Sequence, residues 1–161
     1  MARIRQSSAS QVLILVPGIR PILFLVGLVL LATAAMMLFP MFVDIYYRSV
    51  GWRAFAIACA LSAAIGGSLT YFCRRSLKAG LTLRQAFMLT PLSWFSVAAV
   101  SAMPFYFSDY GIVSRSLTDS VFEAVSGITT TGATVIAGLD DAPPGLLLWR
   151  AILQWMGGIG I

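Results

Sequence analysis

Residues Ser126 to Val135 read SGITTTGATV, a hydroxyl-rich, glycine-punctuated stretch in a chain that is 59% hydrophobic. At its centre Thr129, Thr130, Thr131, Gly132 and Ala133 carry short side chains, which leave the backbone carbonyls reachable. A row of carbonyl oxygens can replace the hydration shell of a desolvated cation. Threonine suits that task, because it favours extended backbone and adds a hydroxyl oxygen. Gly132 is expected to take positive φ, turning successive carbonyls to the same side. The plainer alternative is a Ser/Thr/Gly-rich loop that only connects two helices.

Two lone charges flank this stretch. Glu123 precedes it and Arg150 follows it, both in apolar surroundings. Charges at membrane depth are costly unless paired or wet, so each is a functional candidate. Two placements are open. Either the pair meets behind the loop and holds its shape, or Arg150 sits near the outer interface and snorkels to water beside Trp149. Asp140 and Asp141 read as ordinary solvated loop residues, the alternative being that they concentrate cations near the loop.

Other chemistries find little support. The chain has no histidine, the commonest general base and metal ligand. Its six carboxylates are scattered, whereas an active site needs titratable groups at one depth, so no enzyme is expected. Cys59 and Cys73 share one apolar run; on a helix they stand roughly 21 Å apart, beyond disulfide reach. They are expected as packed free thiols.

The elements that must position the loop are membrane helices. Only 11 basic and 6 acidic side chains occur in 161 residues, well short of a soluble domain's share. Ile22 to Pro40 and Ala86 to Phe107 are uncharged, Trp52 to Cys73 carries only Arg53 at its start, and each is long enough for a span of about 20 residues. Pro91 and Pro104 in the third run do not veto it, since neighbours can satisfy the freed carbonyls. In the second run Ala56, Ala60, Ala64 and Ser68 lie four apart, and this face is expected to pack against a neighbouring helix. A fourth apolar run opens at Leu146 and stops at Ile161 in what reads as mid-helix, so the chain is expected to be part of a longer one.

Ahead of the loop, Ser116 and Asp119 have capping-box spacing and predict a helix from about Leu117 to Ser126. Such a helix is about 15 Å long, half the depth of a bilayer. The order is therefore span, half-helix, Thr/Gly loop, span. Non-helical backbone survives at membrane depth only when buried in protein or lining a water-filled path. A re-entrant loop meets that condition and aims the negative end of the half-helix inward.

Arg3, Arg5 and Arg20 precede the first span, and Arg74, Arg75, Lys78 and Arg84 follow the second. The positive-inside rule then places the N-terminus and the 74–84 link in the cytoplasm. These bases build no continuous face for nucleic acid. A signal peptide cleaved after Ala32-Thr33-Ala34 is a weaker rival, because the apolar run continues through Phe39.

The segments FEAVSGITTTGATVIAGLD and LLLWRAILQWMGGIGI resemble the first pore hairpin of the Trk/Ktr/HKT potassium transporters, and the bacterial TrkH type above all. The resemblance is continuous from about Phe122 to Ile161 and looser from Ile22 onward. It implies an all-α, polytopic inner-membrane protein in which residues 1–84 form a two-helix region. Residues 85–161 would then be the first of four helix–pore loop–helix repeats, incomplete in its second helix. It further implies a potassium filter at Thr129, Thr130, Thr131, Gly132 and Ala133, with potassium as transported ion and no covalent cofactor. A homodimer in lipid and a cytosolic nucleotide-binding TrkA-type regulatory subunit are its implied partners. A structural helical subunit without its own ion path is the alternative.

Overall fold

The computed structural model describes residues 18–74 and 81–160. Arg3, Arg5, Arg75, Lys78 and Ile161 lie outside the described residues, so most of the charge that orients the chain is read from sequence alone. Within them every regular element is helical. In chain order these are α1 (Arg20–Met36), α2 (Leu38–Tyr46), α3 (Trp52–Cys73), α4 (Leu83–Ser101), α5 (Met103–Phe107), α6 (Leu117–Ile128) and α7 (Pro144–Ile159), with a 3-10 turn at Leu139–Asp141.

Three helical stretches are long and apolar enough to cross a membrane: Arg20–Tyr46, Trp52–Cys73 and Leu83–Phe107. The first outruns its expected end at Pro40. Proline has no N–H to donate to the carbonyl four residues back and its ring clashes there. For Pro40 that carbonyl belongs to Met36, and α1 stops at Met36, turns at Met37 and resumes as α2. Pro104 similarly aims at Val100, and the third stretch breaks at Ala102 between α4 and α5. Pro91 leaves α4 continuous. That helix also starts earlier than expected, on a full capping box between Thr82 and Gln85.

Among the described residues the packed small-residue row of α3 is not the expected one. Ala60, Ala64 and Ser68 are exposed and Ala56 is half-buried, whereas Ala58, Ser62 and Gly66 are buried. The packed row is also spaced four apart, but rotated by two residues. Its closest approach explains the choice: a Cβ on Gly66 would lie 2.8 Å from the Gly27 carbonyl oxygen of α1, and a Cβ on Gly27 would lie 2.8 Å from that of Gly66. Between helices in lipid, apolar burial adds little and close van der Waals packing carries the association. The glycine pair sets the crossing of α1 and α3.

One buried cluster surrounds α7. Trp149 is fully buried, packs edge-on to Phe55 at 6.2 Å, and donates its indole N–H to the Ser101 carbonyl at 3.1 Å. Met37, Phe105, Ala124 and Leu153 belong to the same cluster, so α7 touches both the N-terminal helices and α6. Cys59 and Cys73 are not joined to each other, and the Cys59 thiol donates to the Ala34 carbonyl at 3.3 Å.

Candidate functional site

Helix α6 opens on half of the expected capping box. The Ser116 hydroxyl accepts from the Asp119 N–H at 3.4 Å and donates to the Asp119 carboxylate at 2.5 Å. The Ser116 N–H goes instead to the Val113 carbonyl, because Asp is too short to reach back to it as Glu would. The helix runs to Ile128, two residues beyond its expected end.

Its C-terminus closes by a Schellman pattern. The Thr131 N–H donates to the Ser126 carbonyl at 3.0 Å and the Thr130 N–H to the Gly127 carbonyl at 2.9 Å. The residue that must turn left-handed in this motif is usually glycine; here it is Thr130, at φ 58°. A β-branched residue is rarely found there. Gly132 takes φ 77°, the positive value expected of it. Thr130 therefore departs from the extended backbone that its residue type suggests.

After Gly132 the chain doubles back along α6. The Ser126 hydroxyl donates to the Ala133 carbonyl at 2.6 Å. One oxygen of Glu123 accepts from the Val135 N–H at 2.7 Å and from the Thr134 hydroxyl at 2.5 Å. The other accepts from Arg150 Nε at 2.9 Å. Glu123 is fully buried, and the Arg150 side chain is 14% exposed. Arg150 is thus paired with Glu123, and Trp149 beside it is fully buried in protein. Farther on, the Tyr110 hydroxyl donates to the Gly138 carbonyl at 2.5 Å and ties the returning strand to the α5–α6 connection.

Helices α6 and α7 run parallel. A Cβ on Gly127 would meet Leu153 Cβ at 2.9 Å, and one on Gly157 would fall 1.8 Å from the Ile128 carbonyl oxygen. With the Glu123–Arg150 pair these contacts advance together along both helices. The segment between them therefore leaves the C-terminal end of α6 and runs back along it to reach the start of α7.

Thr129 to Thr134 are all exposed. The carbonyls of Thr129, Thr130, Thr131 and Gly132 accept no hydrogen bond among the described residues, whereas that of Ala133 is taken by Ser126. Two hydroxyls are also engaged: Thr129 donates to the Val125 carbonyl at 2.8 Å, and Thr134 to Glu123. A donating hydroxyl keeps lone pairs, so Thr129 and its neighbour Thr131, 2.9 Å away, still present oxygen. The arrangement holds the loop from behind and leaves oxygen in front, beside the negative end of α6.

Sequence reasoning singled out Glu123 and Arg150 but not Ser126 or Thr134, which bind the loop to α6. It also passed over Gln154, whose amide nitrogen would lie 3.6 Å from a Cβ on Gly132. Its signal was one helical turn after Arg150, on the same face of α7. Asp140 and Asp141 are exposed in the 3-10 turn.

Residues 51–161 match the TrkH family, described as cation transport protein. The chain is 39% identical over 142 residues to the Trk system potassium uptake protein TrkH of Escherichia coli strain K12. It is 36% identical over 144 residues to the protein of the same name from Halomonas elongata. These alignments cover 88% and 89% of this chain but 29% of either relative, so the chain spans under a third of their length. The crystal structure of the potassium transporter TrkH from Vibrio parahaemolyticus superposes with a TM-score of 0.79 at 35% identity, covering 89% of this chain and 30% of that one.

Proposed function

The chain belongs to the TrkH family of cation transport proteins, and from that premise we propose that it supplies one quarter of a potassium path across the inner membrane. Residues 85–161 act as the first helix–pore loop–helix repeat, preceded by the two-helix region 1–84. The carbonyls of Thr129, Thr130, Thr131 and Gly132 face the ion and replace its water. Ala133 completes the turn of the loop, and its carbonyl braces Ser126. Glu123 and Arg150 are the pore support.

The observation that carries this reading is the loop that doubles back with its rear bonded to Glu123 and its front carbonyls unspent. Depth agrees with it. Gly157, which seats the end of α6, is twelve residues beyond Gly145 at the start of α7, about 18 Å along the helix and near the middle of a hydrocarbon core about 30 Å thick. An irregular backbone at that depth must be buried in protein or line a water-filled path, and the proposed ion path is the second of these.

One quarter-filter does not enclose an ion, so conduction needs the remaining repeats. The family resemblance supplies the rest of the assembly: a homodimer with its N-termini in the cytoplasm, gated by a TrkA-type subunit. The test is rubidium uptake, with sodium as competitor, by the complete protein carrying Gly132→Ser. Gly132 sits at φ 77°, where a side chain is strained. The expected result is loss of potassium-over-sodium discrimination at unchanged membrane abundance. Unaltered flux and selectivity would instead mark this segment as a structural helical subunit.

A further inference from the structure

The far end of the first span carries a carboxylate that no part of the loop uses. Asp44, on α2, is fully buried. One of its oxygens accepts from the Gly145 N–H at 2.8 Å, across 101 residues of sequence. Helix α7 starts on Pro143 and Pro144, which have no N–H, and Pro143 offers no capping side chain. The first N–H of the helix is therefore Gly145's, and Asp44 caps it from another helix.

The fit is tight on two sides. A Cβ on Gly51 would lie 2.4 Å from the Asp44 carboxylate, and one on Gly145 would lie 2.5 Å from it. Gly51 is the residue before α3, so the carboxylate is wedged between the positive ends of two helices. Its other oxygen has no partner among the described residues, and Asp44 lines a cavity of about 170 Å³ with Ser49, Arg53 and Asp109.

We propose that Asp44 is a positioning residue for the cation loop, fixing where α7 stands along its axis relative to the N-terminal helices. The inference rests on the reading of Thr129 to Gly132 as an ion path. Arg150 follows Gly145 by five residues, about 7.5 Å on a rigid helix. Arg150 holds Glu123, and Glu123 holds the Val135 N–H and the Thr134 hydroxyl behind the loop. A slide of α7 moves the Arg150 anchor and reaches the loop through that chain of bonds. The N-terminal helices thereby set the geometry of the filter.

The test compares Asp44→Ala, Asp44→Asn and Asp44→Glu in the complete protein, with Gly132→Ser as reference. The readouts are KM for potassium, maximal rubidium uptake, sodium competition and membrane abundance. Asp44→Ala is expected to raise KM about five-fold and weaken discrimination against sodium, the scale of one typical net hydrogen bond. Asn keeps an acceptor for Gly145 and places its amide toward the cavity, so it should return KM to within about two-fold of wild type. Glu has no room between the two glycines and should not rescue.

Wild-type KM and selectivity in an abundant Asp44→Ala protein, alongside a defective Gly132→Ser, would overturn the inference. Wild-type behaviour of Gly132→Ser would overturn the ion-path reading beneath it. If Asp44→Ala does not accumulate, the Asn and Glu variants decide: equal KM and sodium competition in both would refute a role in positioning.

Discussion

The pair behind the loop makes a quantitative claim. Glu123 is fully buried, with one oxygen on Val135 and Thr134 and the other on Arg150. Glu123→Gln keeps an acceptor for Val135 but turns an amide N–H toward Arg150, so a donor faces a donor. A hydrogen bond to a charged group contributes about 1.5–3 kcal/mol, and breaking a buried ion pair by removing one partner costs about 3–5 kcal/mol. Arg150 retains 14% exposure and can reach some water, which favours the lower end, about 3 kcal/mol. Arg150→Met strands the Glu123 carboxylate, still partly served by Val135 and Thr134, at a cost of about 2–4 kcal/mol. The double variant removes both charges and leaves neither stranded. Its cost should fall short of the sum of the singles by about 2 kcal/mol. The assay is reversible unfolding of the four proteins in mixed micelles, with potassium and sodium uptake in membranes. Additivity to within about 0.5 kcal/mol would refute the coupling. Wild-type selectivity in Glu123→Gln would refute the supporting role even if the coupling were found.

Two neighbouring-glycine comparisons test the packing. Gly157→Ala places a Cβ 1.8 Å from the Ile128 carbonyl oxygen, backbone that cannot step aside, whereas at Gly158 the nearest atom is Thr130 Cγ2 at 4.0 Å. The first should destabilise by more than about 3 kcal/mol or abolish accumulation, and the second should cost under about 1 kcal/mol, read by thermal melting in detergent. Gly66→Ala drives a Cβ to 2.8 Å from the Gly27 carbonyl oxygen, while a Cβ on Gly67 meets nothing within 4 Å. Gly66→Ala should lower Tm, and Gly67→Ala should hold or raise it through helix propensity of up to about 1 kcal/mol. Equal Tm values would put the α1–α3 crossing elsewhere.

The spans were legible because length and hydropathy are local properties: Trp52 to Cys73 reads the same in sequence and structure. What was misread depended on partners far along the chain. Helix α3 is small-residue-rich all round, and the rows Ala56–Ala60–Ala64 and Ala58–Ser62–Gly66 both satisfy four-residue spacing. Only Gly27 on another helix decides between them. In sequence Asp44 stands close to Arg48 and Arg53 with nothing local to mark it, because its partner is an N–H 101 residues away. Glu123 and Arg150 were visible as isolated charges, but their bond spans 27 residues and needed the parallel course of α6 and α7. The half box at Ser116 was visible, whereas the full box at Thr82 was overlooked beside the stronger hydropathy signal of the third span.

Thr130 is the position where local preference gives the wrong answer, and its strain fits the task proposed for the loop. A non-glycine residue held left-handed costs about 1–3 kcal/mol and persists only where its surroundings over-determine it. Here two backbone bonds close the end of α6 around Thr130, the Ser126 hydroxyl holds Ala133, and Glu123 holds Val135. Each of these bonds draws on a group that points toward α6 or α7. None of them uses the carbonyls of Thr129 to Gly132. Glycine at 130 would relieve the strain but also free the backbone that carries two of those four carbonyls. The cation path proposed for this loop would need those oxygens fixed beforehand, and the loop holds them in place by spending its rear hydroxyls, N–H groups and one buried ion pair.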